Sequence, residues 1–130
     1  MASIVQWNCR GLRNNFEELI KLISDHNSIA VCLQETFLKP NESPTIRGYT
    51  AYHKVEDGER AAGGSSVLIK NSIPQKQIPL NTQLQAIAVS ITLHKTISVL
   101  CTFLPVEILT NMILTSLNAV TLTCTPFRRL

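Results

Sequence analysis

The chain has 130 residues, of which 45% are hydrophobic and 16% are charged, and its formal net charge is +3. This length corresponds to one domain, and the apolar content excludes a globally disordered chain. Collagen and coiled coil are excluded as well, because the sequence shows neither a glycine period nor sustained heptads.

The positive charge is spread along the chain, so it permits contact with a polyanion without requiring it. The four cysteines form no C-x-x-C pair, which argues against a zinc site. A secretory signal would begin with basic residues followed by a long apolar stretch, and residues 1–10 do not show this pattern. We therefore expect a reduced, intracellular protein. The longest apolar segment, residues 106–127, is interrupted by asparagine, serine and threonine, so we expect no membrane span.

The first predicted elements are a strand, a tight turn and a helix. Residues 3–9 combine β-branched and aromatic side chains, and Gly11 breaks the run. Residues 14–26 then carry apolar side chains at helical spacing. Asn15 and Glu18 are spaced like a capping box, which predicts that the Asn15 side chain caps this helix.

A meander of strands is predicted after the helix. Residues 29–33 form a continuous apolar run, as expected of a strand covered on both faces, and a proline-bearing loop follows at 39–48. Further strands are predicted at 49–55, 66–70, 86–93 and 97–103, the last two forming an antiparallel hairpin. The pattern predicts an α/β (α+β) protein with one central sheet and the helix against one face.

Two polar residues stand at the ends of strands that we expect to lie side by side. Glu35 directly follows the apolar strand 29–33, and Asn8 ends the first strand. Ligands gather at the carboxyl ends of strands in open α/β sheets, and Mg²⁺ is commonly held by one or two carboxylates. The alternatives are a solvated loop carboxylate for Glu35 and a turn residue for Asn8.

Other polar residues give weaker signals. Arg10 and Arg13 follow Asn8 and could meet phosphates, although exposed arginines near a helix start are ordinary. The three histidines share no metal-ligand spacing. Gly63-Gly64 is too short for a phosphate-cradling loop, and we predict that it gives a tight entry into the following strand.

Several segments taken together resemble the endonuclease/exonuclease/phosphatase superfamily. The forms W-N-C-R-G-L and L-Q-E-T-F-L are more narrowly similar to the N-terminal endonuclease of non-LTR retrotransposons of the jockey or R1 type. The resemblance covers residues 3–105 in family order, and it runs through these stretches: 4–12, 32–38, 48–49, 63–69 and 98–105.

The resemblance implies a fold, a chemistry and a set of site residues. The fold would be part of a four-layer αββα sandwich, and the reaction would be Mg²⁺-dependent cleavage of phosphodiesters. Asn8 matches the family's catalytic, phosphate-binding asparagine, Glu35 matches its catalytic, metal-binding glutamate, and Arg10 would contact DNA. In the retroelements the partner is nuclear chromosomal DNA, and a downstream reverse-transcriptase (RNA-directed DNA polymerase) domain uses the nick. No membrane is implied, and the oligomeric state stays open.

The chain also departs from the family's pattern. Phe103 stands where the family has a tyrosine, and neither the Gly-Asp-Phe-Asn segment nor the terminal Ser-Asp-His segment has a counterpart. We therefore expect a truncated endonuclease that is inactive alone and binds Mg²⁺ weakly or not at all. The alternative is a non-catalytic remnant or interaction module. A third alternative, a lipid or inositol phosphodiesterase, is disfavoured by the W-N-C-R-G-L form.

The resemblance stops at Pro105, which divides the chain into an endonuclease-like part, 1–105, and a divergent tail, 106–130. The tail suits a frameshifted reading, because codons for 107–115 shifted by one nucleotide can spell a polar segment typical of the family. The competing interpretation is an amphipathic helix over about 107–118 followed by a strand at 120–125.

The truncation also predicts an uncovered surface. If the second sheet of the sandwich is largely missing, an apolar face of the first sheet would be left uncovered.

Overall fold

The computed structural model describes residues 4–54, 63–79, 86–94, 96–102 and 119–123. It contains one α-helix, α1 (Phe16–His26), which a short 3-10 turn (Arg13–Asn15) precedes. The strands are β1 (Ile4–Asn8), β2 (Ala30–Gln34), β3 (Tyr49–Lys54), β4 (Ser65–Lys70), β5 (Gln75–Ile78), β6 (Ala86–Thr92), β7 (Thr96–Thr102) and β8 (Ala119–Thr123).

The described strands form two four-stranded sheets. The first has the order β1-β2-β4-β3, in which β1 and β2 are parallel and the other pairs antiparallel. The second has the order β5-β6-β7-β8, with an antiparallel β6–β7 hairpin and a parallel β7–β8 pair. The predicted hairpin is therefore confirmed, whereas the prediction of one central sheet is wrong.

The alternation of side chains in β2 and β4 explains why the molecule is layered. One set of buried residues faces α1, and we call it the helix-side core; it includes Trp7, Leu19, Val31, Leu33 and Leu68. The alternate set, the inter-sheet core, packs the two sheets together; it consists of Ala30, Cys32, Val67, Ile69, Ile87, Val89, Ile91 and Val99. Because successive side chains of a strand point to opposite faces, β2 and β4 serve both cores.

The inter-sheet core corrects a second expectation. The face of the first sheet opposite α1 is not left uncovered, because Ile87, Val89 and Ile91 of β6 and Val99 of β7 pack on it. Strand β5 had no sequence prediction. Its residues are mostly polar and prolines flank it at positions 74 and 79, which is the pattern of an edge strand rather than a buried one.

The tail is described only at β8, which lies at the strand predicted for 120–125 and pairs with β7. The helix predicted over 107–118 lies outside the described residues, and the division at residue 105 stays a prediction. No helix within the described ranges is long and apolar enough to cross a membrane.

Candidate active site

The carboxyl ends of β1 and β2 lie side by side. In the parallel register Asn8 is opposite Gln34, so Glu35 is the first residue beyond the paired strands. The prediction that Asn8 and Glu35 lie at the same edge of the sheet is therefore confirmed, and the expectation that both side chains reach one shared ion stays a prediction. We call this place, formed by residues 8–12 and 34–37, the β1–β2 edge.

Main-chain hydrogen bonds continue past both strands and fix the β1–β2 edge. The amide of Cys9 donates to the carbonyl of Gln34 at 3.1 Å, and that of Gly11 donates to the carbonyl of Glu35 at 2.8 Å. The amide of Leu12 then donates to the carbonyl of Thr36 at 2.9 Å. The segments that carry Arg10 and Glu35 are thus held together by backbone rather than by side chains.

The segment Gly63–Gly64, which precedes β4, is hydrogen-bonded to the part of the β1–β2 edge that follows β2. The amide of Thr36 donates to the carbonyl of Gly64 at 3.3 Å, and that of Phe37 donates to the carbonyl of Gly63 at 2.9 Å. A Cβ atom on Gly64 would lie 2.7 Å from Thr36 Oγ1, so only glycine permits this approach. Gly63 and Gly64, with φ angles of +63° and +89°, lead directly into β4, which confirms the predicted tight entry into that strand.

Backbone strain concentrates at the β1–β2 edge. Positive φ angles occur at Arg10 (+46°), Glu35 (+52°) and Phe37 (+53°), and the only other non-glycine residue in the described ranges with such an angle is Asn27, which ends α1. Left-handed backbone is uncommon outside glycine, and it persists where surrounding contacts enforce it. Such residues cluster at functional sites, which agrees with the polar side chains found here.

Buried polar side chains surround Glu35. Gln34 and Thr36 are buried, and Ser65 and Ser66 are buried on the adjacent β4. Gln34 belongs to the same face of β2 as Ala30 and Cys32, so its amide lies on the inter-sheet side, where the atoms Gln34 Oε1 and Asn8 Oδ1 are both buried. This concentration of buried polar side chains distinguishes the carboxyl ends of β1 and β2 from the apolar cores on either side of the sheet.

Sequence reasoning did not single out Gln34 or Thr36. Their position in the sequence could have indicated them. Both flank Glu35 at the end of a fully apolar strand, and polar residues are unusual in a core. Glu35 itself is half-buried, and Arg10 is exposed.

Cationic side chains line the helix side of the same end of the sheet. A cavity of about 550 Å³ lies between the start of α1 and the loop after β2, and Leu12, Phe16 and Leu38 give it an apolar lining. Arg13 and Lys39 also line it, and Arg13 approaches Glu42 at 4.0 Å while remaining 77% exposed. An ion pair this exposed contributes little stability, so Arg13 is available to other anions.

Neither His53 nor His26 belongs to the β1–β2 edge. His53 on β3 is half-buried; its Nδ1 lies 2.6 Å from Ser66 Oγ and its Nε2 lies 3.3 Å from the carbonyl oxygen of Pro44. Burial lowers the pKa of His53, and the hydrogen bond with Pro44 partly opposes that shift.

A Ser24-Asp25-His26 tripeptide ends α1, and all three of its residues are exposed. It lies at the end of the helix that leads into the start of β2. It is remote in the fold from the ends of β1 and β2.

Glu35 is the carboxylate at the β1–β2 edge. No group of three or more histidine, cysteine, aspartate or glutamate side chains that could hold a metal ion occurs in the part of the chain that the structure describes. Phe103, which the family resemblance aligns with a tyrosine, lies outside that part.

Comparison with known proteins gives a consistent family and fold. A model of the Endonuclease/Exonuclease/phosphatase family matches residues 5–107. The chain is 32% identical over 83 residues to the RNA-directed DNA polymerase from mobile element jockey of Drosophila melanogaster, covering 63% of this chain and 9% of that protein. It is 34% identical over 71 residues to the probable RNA-directed DNA polymerase from transposon X-element of the same species, covering 54% and 8%.

Two solved structures share the fold. The endonuclease domain of TRAS1, a telomere-specific non-LTR retrotransposon, superposes with a TM-score of 0.63 at 18% identity, over 84% of this chain and 51% of that one. The catalytic domain of Xenopus laevis APE2 superposes with a TM-score of 0.57 at 18% identity, over 78% and 45%. The chain thus spans less than a tenth of the curated relatives and about half of these domains.

Proposed function

Because the chain belongs to the Endonuclease/Exonuclease/phosphatase family, we propose that it is a retrotransposon-derived DNA endonuclease domain whose β1–β2 edge holds a DNA phosphodiester. The observation that carries the proposal is the parallel register that places Asn8 opposite Gln34 and Glu35 immediately beyond. Asn8 would orient the phosphate through its amide, and exposed Arg10 would contact the DNA backbone.

The residues present fit a Mg²⁺ ion that stays mostly hydrated. Glu35 is the carboxylate of the edge, and the buried oxygen Asn8 Oδ1 belongs to the neighbouring strand end. Mg²⁺ takes oxygen ligands, keeps several waters and needs only one or two carboxylates beside substrate phosphates. Glu35 would hold the ion, which when bound polarises a phosphoryl oxygen and offsets the charge that develops on it.

The 130-residue polypeptide is expected to bind without cutting. Its sequence contains no Gly-Asp-Phe-Asn segment, and its only Ser-Asp-His tripeptide lies in α1, remote from the β1–β2 edge. Loss of single members of a catalytic set reduces rates by orders of magnitude, so the joint absence of a base and several phosphate contacts predicts no measurable turnover. In the full element, DNA in the nucleus and a downstream reverse-transcriptase domain would be the partners.

Nuclear magnetic resonance of the labelled 130-residue protein tests the binding site. Titration with Mg²⁺ and with a short DNA duplex should shift the amide signals of Asn8, Arg10 and Glu35. Glu35→Gln should abolish the Mg²⁺ response while it keeps the DNA response. The matched control is Glu17→Gln, because Glu17 is an exposed carboxylate in the first turn of α1. A Mg²⁺ response that survives Glu35→Gln would refute the metal assignment.

A nicking assay on supercoiled plasmid tests the absence of turnover. The wild-type chain with Mg²⁺ should convert no more plasmid to the open circle than a buffer control does. Nicking that depends on Mg²⁺ and disappears in Glu35→Ala would show instead that the 130 residues are catalytically sufficient.

A further inference from the structure

Phe37 is an exposed aromatic residue at the β1–β2 edge. Its side chain is 39% exposed, although its neighbours in sequence, Thr36 and Leu38, are 1% and 4% exposed. Among the exposed large hydrophobic residues of the described ranges, Ile20 lies on α1 and Leu93 in the β6–β7 turn, so Phe37 alone of these accompanies the candidate site. Aromatic side chains are usually buried, so this placement needs an explanation.

The backbone conformation of Phe37 accounts for its exposure. The residue adopts a φ of +53°, which is a genuine outlier for a bulky side chain. Its amide donates to the carbonyl of Gly63 at 2.9 Å, and the two buried neighbours anchor the chain on either side. A strained conformation held by hydrogen bonds and packing thus keeps the ring out of the core.

The ring also has a defined orientation. A Cβ atom on Gly11 would lie 3.5 Å from Phe37 Cδ2, so the ring packs against the backbone of the segment that follows β1. Arg10, an exposed cation, immediately precedes Gly11 in that segment. The aromatic ring therefore lies against the segment that carries Arg10, and it stands two positions after Glu35.

We propose that Phe37 is a stacking surface for an unpaired nucleobase next to the phosphodiester held at the β1–β2 edge; this inference rests on the proposed function. Nucleobases stack on exposed aromatic rings, and exposed Arg10, in the segment against which the ring packs, would attract the backbone phosphates. The adjacent cavity is lined by two cations, Arg13 and Lys39, and by one carboxylate, Glu42, so its lining carries a net positive charge, which favours a polyanion as the occupant over an apolar protein surface. Phe37 would thus favour single-stranded or locally unpaired DNA.

Binding to two labelled strands of about ten nucleotides, one with all bases and one abasic throughout, tests the inference, since both carry the same phosphates. Wild type should bind the strand with bases roughly tenfold more tightly than the abasic strand. Phe37→Leu should lose this preference and keep its affinity for the abasic strand. Ile20→Ala, which removes an exposed apolar side chain from α1, should behave as wild type.

Phe37→Trp gives a second readout that does not depend on loss of binding. The natural chain has one tryptophan, Trp7, and it is buried, so a tryptophan at position 37 is the only exposed one. Its fluorescence should be quenched by the strand with bases and not by the abasic strand. Equal wild-type affinity for the two strands, with no quenching, would overturn the stacking role and leave the phosphate site intact. Failure to bind either strand would overturn the proposed function itself.

Discussion

At the scale of single residues, two glycines with similar backbone have different surroundings. Gly48 has a φ of +86° with nothing within 4 Å of a Cβ position, whereas at Gly64 (+89°) that position lies 2.7 Å from Thr36 Oγ1 and 3.3 Å from the carbonyl oxygen of Lys54. At Gly48 the positive φ angle alone favours glycine. At Gly64 the close approach of the segment after β2 favours glycine as well.

This contrast predicts the outcome of two alanine substitutions. Gly48→Ala should lower the free energy of unfolding by about 1–2 kcal/mol, because alanine resists left-handed backbone. Gly64→Ala should lower it by a further 1–3 kcal/mol, approximately, since the added methyl group meets a backbone carbonyl and a buried side chain. Urea denaturation measures both values, and equal destabilisation by the two variants would contradict the close approach.

His53 predicts a pH dependence of stability. Burial lowers its pKa below the ordinary 6.5, so the unfolded chain binds the proton more tightly than the folded chain. The contribution of His53 is therefore fully present above pH 6.5 and is lost as the pH falls through the lower folded pKa. Urea midpoints of wild type and His53→Gln, measured between about pH 5 and 8, should differ more at the alkaline end. A difference that grows toward acid would contradict this sign.

The placement of Asn8 and Glu35 at the ends of β1 and β2 could be predicted, because the residue types and the preceding apolar runs are visible in the sequence. Residue-level prediction did not reach the strain at Arg10 or Phe37, because a positive φ in a non-glycine residue results from contacts made by other segments. In this chain the amide of Gly11, next to Arg10, donates to the carbonyl of Glu35, and the amide of Phe37 donates to the carbonyl of Gly63. Both carbonyls are distant in sequence from the amides that they hold. The exposure of Phe37 follows from the same contacts.

At the scale of elements, α1 begins without the capping box that Asn15 and Glu18 suggest. Asn15 occupies the N-cap position, but its side chain makes no capping hydrogen bond. Its Nδ2 group donates instead to the carbonyls of Cys9, at 2.7 Å, and Gly11, at 3.0 Å. The predicted capping box is therefore wrong. The asparagine ties the start of the helix to the segment that leaves β1, and the acidic residues Glu17 and Glu18 in the first turn complement the helix dipole.

Asn15→Asp distinguishes the two roles. Aspartate is as good an N-cap residue as asparagine, but it cannot donate to the two carbonyls and would place a negative charge beside them. We expect this variant to lose about 1–3 kcal/mol of unfolding free energy, because two partly buried acceptors lose their donor. Asn15→Ala provides the control, since it removes the donor without adding charge. Wild-type stability in Asn15→Asp would restore the capping interpretation.

Strand existence was more predictable than strand partnership. Apolar, β-branched runs marked β1, β2, β4, β6 and β7, but a meander of strands fits one sheet as well as two. The division into two sheets follows from long-range packing of alternate side chains, which the local pattern does not specify. Polar, proline-flanked β5 showed no strand signal because its stability comes from pairing with β6 and from contacts such as the hydrogen bond of Tyr52 with Gln75, 2.8 Å long.

At the scale of the whole molecule, the first sheet couples two cores. Strand β2 places Val31 and Leu33 in the helix-side core, and it places Ala30 and Cys32 in the inter-sheet core. Damage to either core therefore strains the same strands. The β1–β2 edge depends on this coupling, because its two segments have fixed positions only while β1 and β2 remain paired and covered on both faces.

The coupling predicts that unfolding is cooperative across the layers. Trp7 is a natural probe of the helix-side core, whereas Ile69 lies in the inter-sheet core. Ile69→Ala should reduce the unfolding free energy by about 2–5 kcal/mol, since it opens a cavity between the sheets.

The Trp7 fluorescence transition of Ile69→Ala in urea should move together with the far-ultraviolet circular dichroism transition, because removing one layer exposes strands that the other layer needs. Leu19→Ala, which opens the helix-side core at α1, is the matched variant and should shift both signals in the same way. Separate transitions in Ile69→Ala, with Trp7 unaffected, would show that the helix-side core is stable without the second sheet.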